Sequence, residues 1–337
     1  MQALLNLAAE RTQLYLSPVG QPHATLPSGA ATPIYSEDFY TFLVQLAESQ
    51  QSEFPNNNKL ATVLRQLDAR AHSSNLTQPV PLRTSQSGPG TVLIDLQENF
   101  EAIELTRKGW SLTHNFDAPF LRPTQNIPLP APEQPQHDLT TYLTQLFEIE
   151  PEPAQQLSHW LALALMPNEK PPILVITGEA RDEAASKLRT LIDPVPQPLF
   201  PLPATTSQLG QLALTNKVLA FVTYGPLTEI RKAAFNRLRK GMPVRLKETN
   251  RRRSQIFNNV SRPIIIVAES EMEIGRHQIS VEINKANQAD HAQMLGALLN
   301  VAAQAICPDP QVTSETDWEA ITPTAIDKTT QSDAPDT

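Results

Sequence analysis

The stretch PPILVITGEARDEAASKLRTLIDP, residues 171–194, decides how this chain is read. Pro172–Thr177 is a short apolar run, the pattern of a strand buried on both faces. It ends at Gly178-Glu179, and a helix is expected at Glu183–Ile192, closing before Asp193-Pro194. Strand, glycine turn and helix together make the outline of a P-loop unit. Working outward, two helices are expected first, at Asp138–Ile149 and Ala154–Met166. After the unit come a strand at Val218–Phe221, a helix at Leu227–Lys240, a strand at Pro263–Ala268 and a further strand at Ile279–Ile283. The helix Ala289–Ile306 closes the series. Such alternation predicts an α/β fold with a parallel sheet and flanking helices.

The N-terminal part, residues 1–117, reads as a small α+β module. Leu14–Leu16 and Ala24–Leu26 flank a turn at Pro18–Pro22 and form a hairpin. Helices are expected at Glu37–Glu48, capped by Ser36, and at Lys59–His72. Short strands follow at Val80–Leu82, Thr91–Leu96, Ala102–Leu105 and Trp110–Thr113. Residues 118–137 are proline-rich and aperiodic, an extended linker and a first site for protease. The α/β domain spans 138–307. The polar, acidic residues 308–337 are expected to be a disordered tail.

Composition narrows the class. Of 337 residues, 40 % are apolar and 18 % charged, enough for a globular core. The longest apolar stretches, around Trp160–Met166 and Ile264–Ala268, are too short to span a bilayer. The start MQALLNLAAERT lacks the basic region of a secretory signal. A single cysteine, Cys307, excludes an intrachain disulfide and a cysteine-based zinc cluster. A soluble, cytoplasmic protein with no membrane partner is expected. The chain has 31 prolines and only 11 glycines. Phosphate loops need glycine where backbone approaches the ligand, so this is a poor prior for a nucleotide enzyme. The seven histidines are scattered without ligand spacing, and no metal site is expected. No Gly-x-Ser-x-Gly elbow is present, and Glu148/Glu150 and Glu269/Glu271 read as surface charges. Trp110 and Trp160 read as core residues.

In order and spacing, 171–194 joins GWSLTHNFDAPFLRPTQNIPLPAPE (109–133) upstream and KVLAFVTYG (217–225) and RPIIIVAES (262–270) downstream. This set resembles the ATPase core of phage- and plasmid-type primase–helicase proteins, relatives of superfamily 3 helicases within the AAA+ class. The resemblance runs from about Leu14 to Ile306 and implies a P-loop-type sheet behind an α+β module. A chain starting at this module is expected to have no primase–polymerase domain ahead of it. The chemistry of the family is missing. Gly178 and Glu179 match. The family's glycine-rich loop with Gly-Lys-Ser/Thr is replaced by Ala180-Arg181-Asp182-Glu183-Ala184-Ala185-Ser186, and no Gly-Lys dipeptide occurs anywhere. Phosphate cradling needs free backbone N–H groups, that lysine and a hydroxyl on Mg²⁺. Where the family's Mg²⁺-holding acid and its amide stand, this chain has Val222 and Thr223. The sensor asparagine falls on Val267. Arg276 matches an arginine near the end of the family core. The resemblance therefore implies a degenerate member with no catalytic residue and no cofactor.

One block of charge remains. The chain carries −8, yet residues 231–262 hold eleven basic residues against Glu248 alone, leaving −18 for the rest. Such a block points to a polyanion or an acidic partner. On the helix, Leu227, Ile230, Ala234 and Leu238 are expected inward, with Arg231, Lys232, Arg239 and Lys240 outward. Arg237 aligns with a family arginine. Val244–Thr249 and Ser254–Asn258 frame Arg251, Arg252 and Arg253 as a hairpin tip, with Arg245 and Lys247 on its flank. Superfamily 3 relatives hold single-stranded DNA on a basic channel hairpin, so the resemblance implies DNA contact here, mainly through phosphates. The reading is an inactive helicase-like protein of a mobile element, binding DNA or serving as an assembly component. Two alternatives stay open: a protein–protein scaffold, homo- or hetero-oligomeric, whose basic face meets an acidic protein, and a divergent active ATPase.

Overall fold

The computed structural model describes residues 2–18, 20–49, 56–97, 101–114, 116, 118–123, 126–247 and 254–306, with only the backbone of 245–247 and 254–258. The chain opens with α1 (Gln2–Arg11), the antiparallel strands β1 (Gln13–Leu16), β2 (Pro22–Thr25) and β3 (Ala31–Pro33), and helices α2 (Glu37–Ser49) and α3 (Asn57–Ser73). These pack around a core of their own that includes Leu5, Ile34, Phe39, Leu43, Leu60, Val63 and Leu67. The α3 start is fixed by Asn56, whose side chain accepts from the Lys59 N–H at 2.9 Å, a cap of about 1 kcal/mol.

An antiparallel sheet follows, β4 (Thr84–Gly88), β5 (Thr91–Asp95), β6 (Ala102–Thr106) and β7 (Gly109–Thr113). The expected strand at Val80–Leu82 is absent. Pro79 and Pro81 have no N–H to enter a ladder, and pairing begins at Thr84. Next come α4 (Leu139–Phe147), α5 (Pro151–Leu165), β8 (Ile173–Thr177), α6 (Arg181–Thr190), β9 (Phe200–Pro201), α7 (Thr206–Thr215) and β10 (Leu219–Thr223). The described chain closes with α8 (Glu229–Lys240), β11 (Met242–Lys247), β12 (Ser254–Val260), β13 (Ile264–Ala268), β14 (Gln278–Glu282) and α9 (His291–Ala305). A five-stranded parallel sheet runs in the order β14-β8-β13-β10-β9.

Side chains alternate across this sheet. Leu174, Ile176, Ala220, Ile265 and Val267 face α4, α5, α6 and α9. Ile173, Val175, Leu219, Phe221, Ile264 and Ile266 face α7, α8 and Val244 of β11. Both faces are covered, which is why these strands read as continuous apolar runs. Trp160 lies fully buried in the first layer and donates its indole N–H to the Pro172 carbonyl at 2.8 Å.

Two expectations about organisation are corrected. First, the antiparallel sheet does not belong with the N-terminal helices. Val92, Ile94, Ile103 and Leu105 share one core with Leu295, Leu298 and Leu299 of α9. Helix α9 buries Met294 to Leu299, Ala302 and Ala303, a stripe too wide for the parallel sheet alone. The break in packing therefore falls between α3 and β4, not at residue 117. Second, residues 118–137 are extended but are no free linker. Phe120 and Leu129 are buried. Ile127 N–H donates to the Pro194 carbonyl, Leu129 N–H to Leu96 and Glu133 N–H to Ala292. The stretch is a strap tied to the α/β layers. The acidic tail, with Cys307, lies outside the described residues.

Candidate functional site

In open α/β sheets ligands sit at the carboxyl ends of the strands. Here that place is the turn after β8. Gly178 has φ +99°, a conformation that favours glycine, and a Cβ on it would fall 2.3 Å from the Ile283 carbonyl oxygen. The segment after β14 thus lies directly on the turn. The Glu179 N–H donates to Asn284 Oδ1 at 3.0 Å, and the Ala180 N–H donates to the Ile283 carbonyl at 3.0 Å. Arg181 folds back onto the Gly178 carbonyl at 3.1 Å. Asp182 and Glu183 occupy the first turn of α6, where they complement its dipole. Lys187 sits one turn on and pairs with Glu183 at 3.1 Å. Ala184 is buried in the core and Ser186 is half-buried in the helix.

Of the neighbouring strand ends, β14 finishes in Glu282, which accepts from the Asn284 side-chain amide at 3.1 Å, and β13 is followed by Glu269. Val222 is half-buried against the core, and Val267 is fully buried. The Thr223 hydroxyl donates to the Gly225 carbonyl at 2.7 Å and closes the turn. Arg276 is exposed.

The basic block divides. Arg237 and Lys240 of α8 are exposed, Arg231 is half-buried, and Lys232 pairs with Glu229 at 2.9 Å. Arg239, expected outward, is 8 % exposed and donates to the Lys170 carbonyl at 3.0 Å. Ile230, expected inward, is 80 % exposed, and Phe235 takes its place in the core. The helix is rotated because Phe235 stacks on Phe221 of β10, with ring centroids 5.3 Å apart. Arg262 also turns inward, donating to the carbonyls of Ala213 and Ser261 at 2.7 Å each. The hairpin forms as expected, β11 and β12 pairing antiparallel with Arg245 opposite Ile256 and Lys247 opposite Ser254. Arg251, Arg252 and Arg253 lie outside the described residues.

A second constellation has no local signal in the sequence. At the amino ends of the parallel strands, buried cations bind loop carbonyls around Asp193. The Asp193 carboxylate accepts from the backbone N–H of Lys217 at 2.7 Å and of Val218 at 3.2 Å, and stands 3.7 Å from Arg83. Arg83 is fully buried and donates to the carbonyls of Asp95 and Ile127. Arg189 lies over the Phe200 ring and donates to Asn216 Oδ1 at 2.6 Å and to the Pro198 carbonyl. Lys217 Nζ donates to the Met166 carbonyl at 3.0 Å. Burial, reinforced by Arg262 and opposed by Asp193, pushes the Lys217 amine down to about 7. This network ties β4 and β5 to the parallel sheet and exposes no reacting group. Among the described residues no cluster of His, Cys, Asp and Glu could hold a metal ion. No described helix is long and apolar enough to cross a membrane.

No family model matches this chain, and no curated protein matches it. Among solved structures it is similar to the apo A form of the NrS-1 C-terminal region, at 12 % identity and a TM-score of 0.48, covering 95 % of this chain and 73 % of that one. It is also similar to a JCV helicase solved with a substituted acetamide bound, at 13 % identity and a TM-score of 0.24, covering 48 % of this chain and 57 % of that one.

Proposed function

We propose that this protein is a helicase-related subunit that contacts DNA, single strands preferentially, and neither binds nor hydrolyses nucleotide. The observation that carries the reading is the closed turn after β8, where the Glu179 and Ala180 N–H groups already have acceptors within the chain. A triphosphate entering there displaces Asn284 and the Ile283 carbonyl, meets Asp182 and Glu183, and finds Lys187 held by Glu183. The DNA contact falls to the hairpin with Arg245, Lys247 and Arg251–Arg253, helped by the exposed Arg237 and Lys240 of α8. A role in the replication of a mobile element follows the resemblance to primase–helicase proteins.

Tyr224 and Ile230 favour a second reading. They are 77 % and 80 % exposed beside the basic helix, a combination suited to an acidic protein partner or an oligomer contact.

Two measurements test the proposal. Thermal unfolding with Mg-ATP, against adenosine as control, is expected to show no magnesium-dependent stabilisation. A site filled at 100 times its dissociation constant adds about 2.7 kcal/mol, and a shift of that size overturns the reading. Fluorescence anisotropy of a labelled single strand over a salt series is expected to show weak, salt-sensitive binding. Each phosphate contact adds about 0.7 to the slope. Replacing Arg251, Arg252 and Arg253 by alanine flattens it. Equal binding by wild type and variant, or none at low salt, transfers the function to the protein partner.

A further inference from the structure

Helix α8 shows solvent one continuous stripe. Ile230, Ala233, Arg237 and Lys240 are exposed at spacings of three and four, so they follow one another down the same face. The stripe changes character along its length, apolar in the first turns and cationic in the last. Glu229, the one acid of this helix, is held by Lys232 at 2.9 Å, which leaves Arg237 and Lys240 with no carboxylate from their own helix. Tyr224, 77 % exposed, stands in the turn ahead of the apolar end.

The residues after α9 carry the complementary pattern in the reverse order. Glu315, Asp317 and Glu319 fall within five residues, with Trp318 among them and Ile321 just beyond. Trp318 is the one aromatic of residues 308–337, a stretch otherwise polar and acidic. A large aromatic in such a composition marks an anchor. This segment also departs from the matching end of the molecule. A Cβ on Gly90 would lie 3.8 Å from Ile306 Cγ2, which sets the end of α9 beside the turn between β4 and β5. The Asn168 amide donates to Gln86 Oε1 of β4 at 2.8 Å, and two residues on the Lys170 carbonyl accepts from Arg239 of α8 at 3.0 Å. Residues 307–316 span up to about 33 Å, enough to cross these contacts to the last turn of α8.

We infer that residues 315–321 dock on the exposed stripe of α8 in their own chain. The carboxylates lie over Lys240 and Arg237, and Trp318 and Ile321 lie over Ala233, Ile230 and Tyr224. The lengths agree: ten residues of helix from Ile230 to Lys240 cover about 15 Å, and the six steps from Glu315 to Ile321 span up to about 20 Å. Covering the apolar end supplies affinity, and the charges at the other end set the direction. The occupant of this face is then a segment of the same chain rather than a separate acidic protein. Arg237 and Lys240 also belong to the proposed DNA contact, so the docked segment competes with a strand for them; that consequence, unlike the docking, rests on the proposed DNA contact.

The test uses the full chain carrying Trp318→p-benzoylphenylalanine, irradiated as a dilute mixture of isotopically light and heavy copies. Peptide mapping is expected to place the crosslink within residues 224–240 of the same copy. High salt lowers the yield, because exposed charge pairs are screened. Arg237→Glu with Lys240→Glu lowers it roughly ten-fold, since like charges then face each other. Adding Glu315→Lys, Asp317→Lys and Glu319→Lys to that variant restores the yield, a rescue that damage to the helix would not allow. No crosslink to residues 224–240, or a yield that the charge reversals leave unchanged, overturns the inference. A crosslink joining light to heavy copies overturns docking within one chain. An oligothymidylate added before irradiation is expected to reduce the yield. If the crosslink and the charge swap behave as expected and the oligomer has no effect, the docking stands and the DNA contact at α8 fails.

Discussion

Lys217→Met probes the buried network where its energetics are sharpest. In the folded protein the Lys217 amine titrates near 7, and its ordinary value is 10.5. Between these values the unfolded chain holds a proton that the folded protein has shed. Stability therefore rises with pH across this window, by about 1 kcal/mol per pH unit from one group. From pH 7 to pH 9 the gain is roughly 2 kcal/mol. Below pH 7 both states are protonated and the penalty is constant. Other shifted groups are common to wild type and variant and cancel in the comparison. His23 and His291 lie below 6.5, and Arg189 and Arg262 are pushed down only to about 10. Methionine keeps all but the last atom of the side chain's length and removes the titration. It also leaves the Met166 carbonyl without its 3.0 Å donor, at about 1 kcal/mol, so the comparison is one of slopes. Urea unfolding at pH 7, 8 and 9 should show wild-type stability climbing relative to the variant. Parallel curves, or a wild type that loses ground as pH rises, would refute the reasoning.

The remaining expectations concern the strap and the network. In Gly296→Ala the new methyl carbon falls 1.9 Å from the Glu133 carbonyl oxygen. The strap must lift, with a loss of about 1–3 kcal/mol, and limited proteolysis should then cut within 118–137, a stretch expected to resist cleavage in wild type. Asp193→Ala strips the acceptor from two buried N–H groups and removes the carboxylate 3.7 Å from the buried Arg83, and chemical denaturation should register a loss of about 3–5 kcal/mol. In Asn284→Ala the Glu179 N–H loses its acceptor while Ala180 keeps the Ile283 carbonyl, so isothermal titration with Mg-ATP is expected to stay silent. Binding in that variant alone would identify Asn284 as the group that closes the site.

The alternation of Ile173–Thr177, Leu219–Thr223 and Ile264–Ala268 with helices was legible from the sequence because each strand is buried on both faces and the helices between them carry apolar stripes. That no Gly-Lys dipeptide occurs in the chain was legible in the same way, since a dipeptide is present or absent whatever the fold. Shorter elements escaped. The two-residue strand β9 has no period to read, and α7 begins behind Pro201 and Pro203 and holds Gly210, which a chain scan takes for a break.

What the sequence by itself determined is the layered α/β design and the hairpin. Only the tertiary structure decided which cations point inward, that the proline-rich strap is packed, and that Asn284 closes a turn 105 residues away. The physical reason is range. Periodicity, capping and turn chemistry act within one or two turns of chain, so they fix which faces are apolar. Arg239 and Ile230 exchange their expected sides because stacking of Phe235 on Phe221 sets the rotation of α8, and Lys170 then presents a carbonyl to Arg239. Neither contact exists until the sheet has assembled.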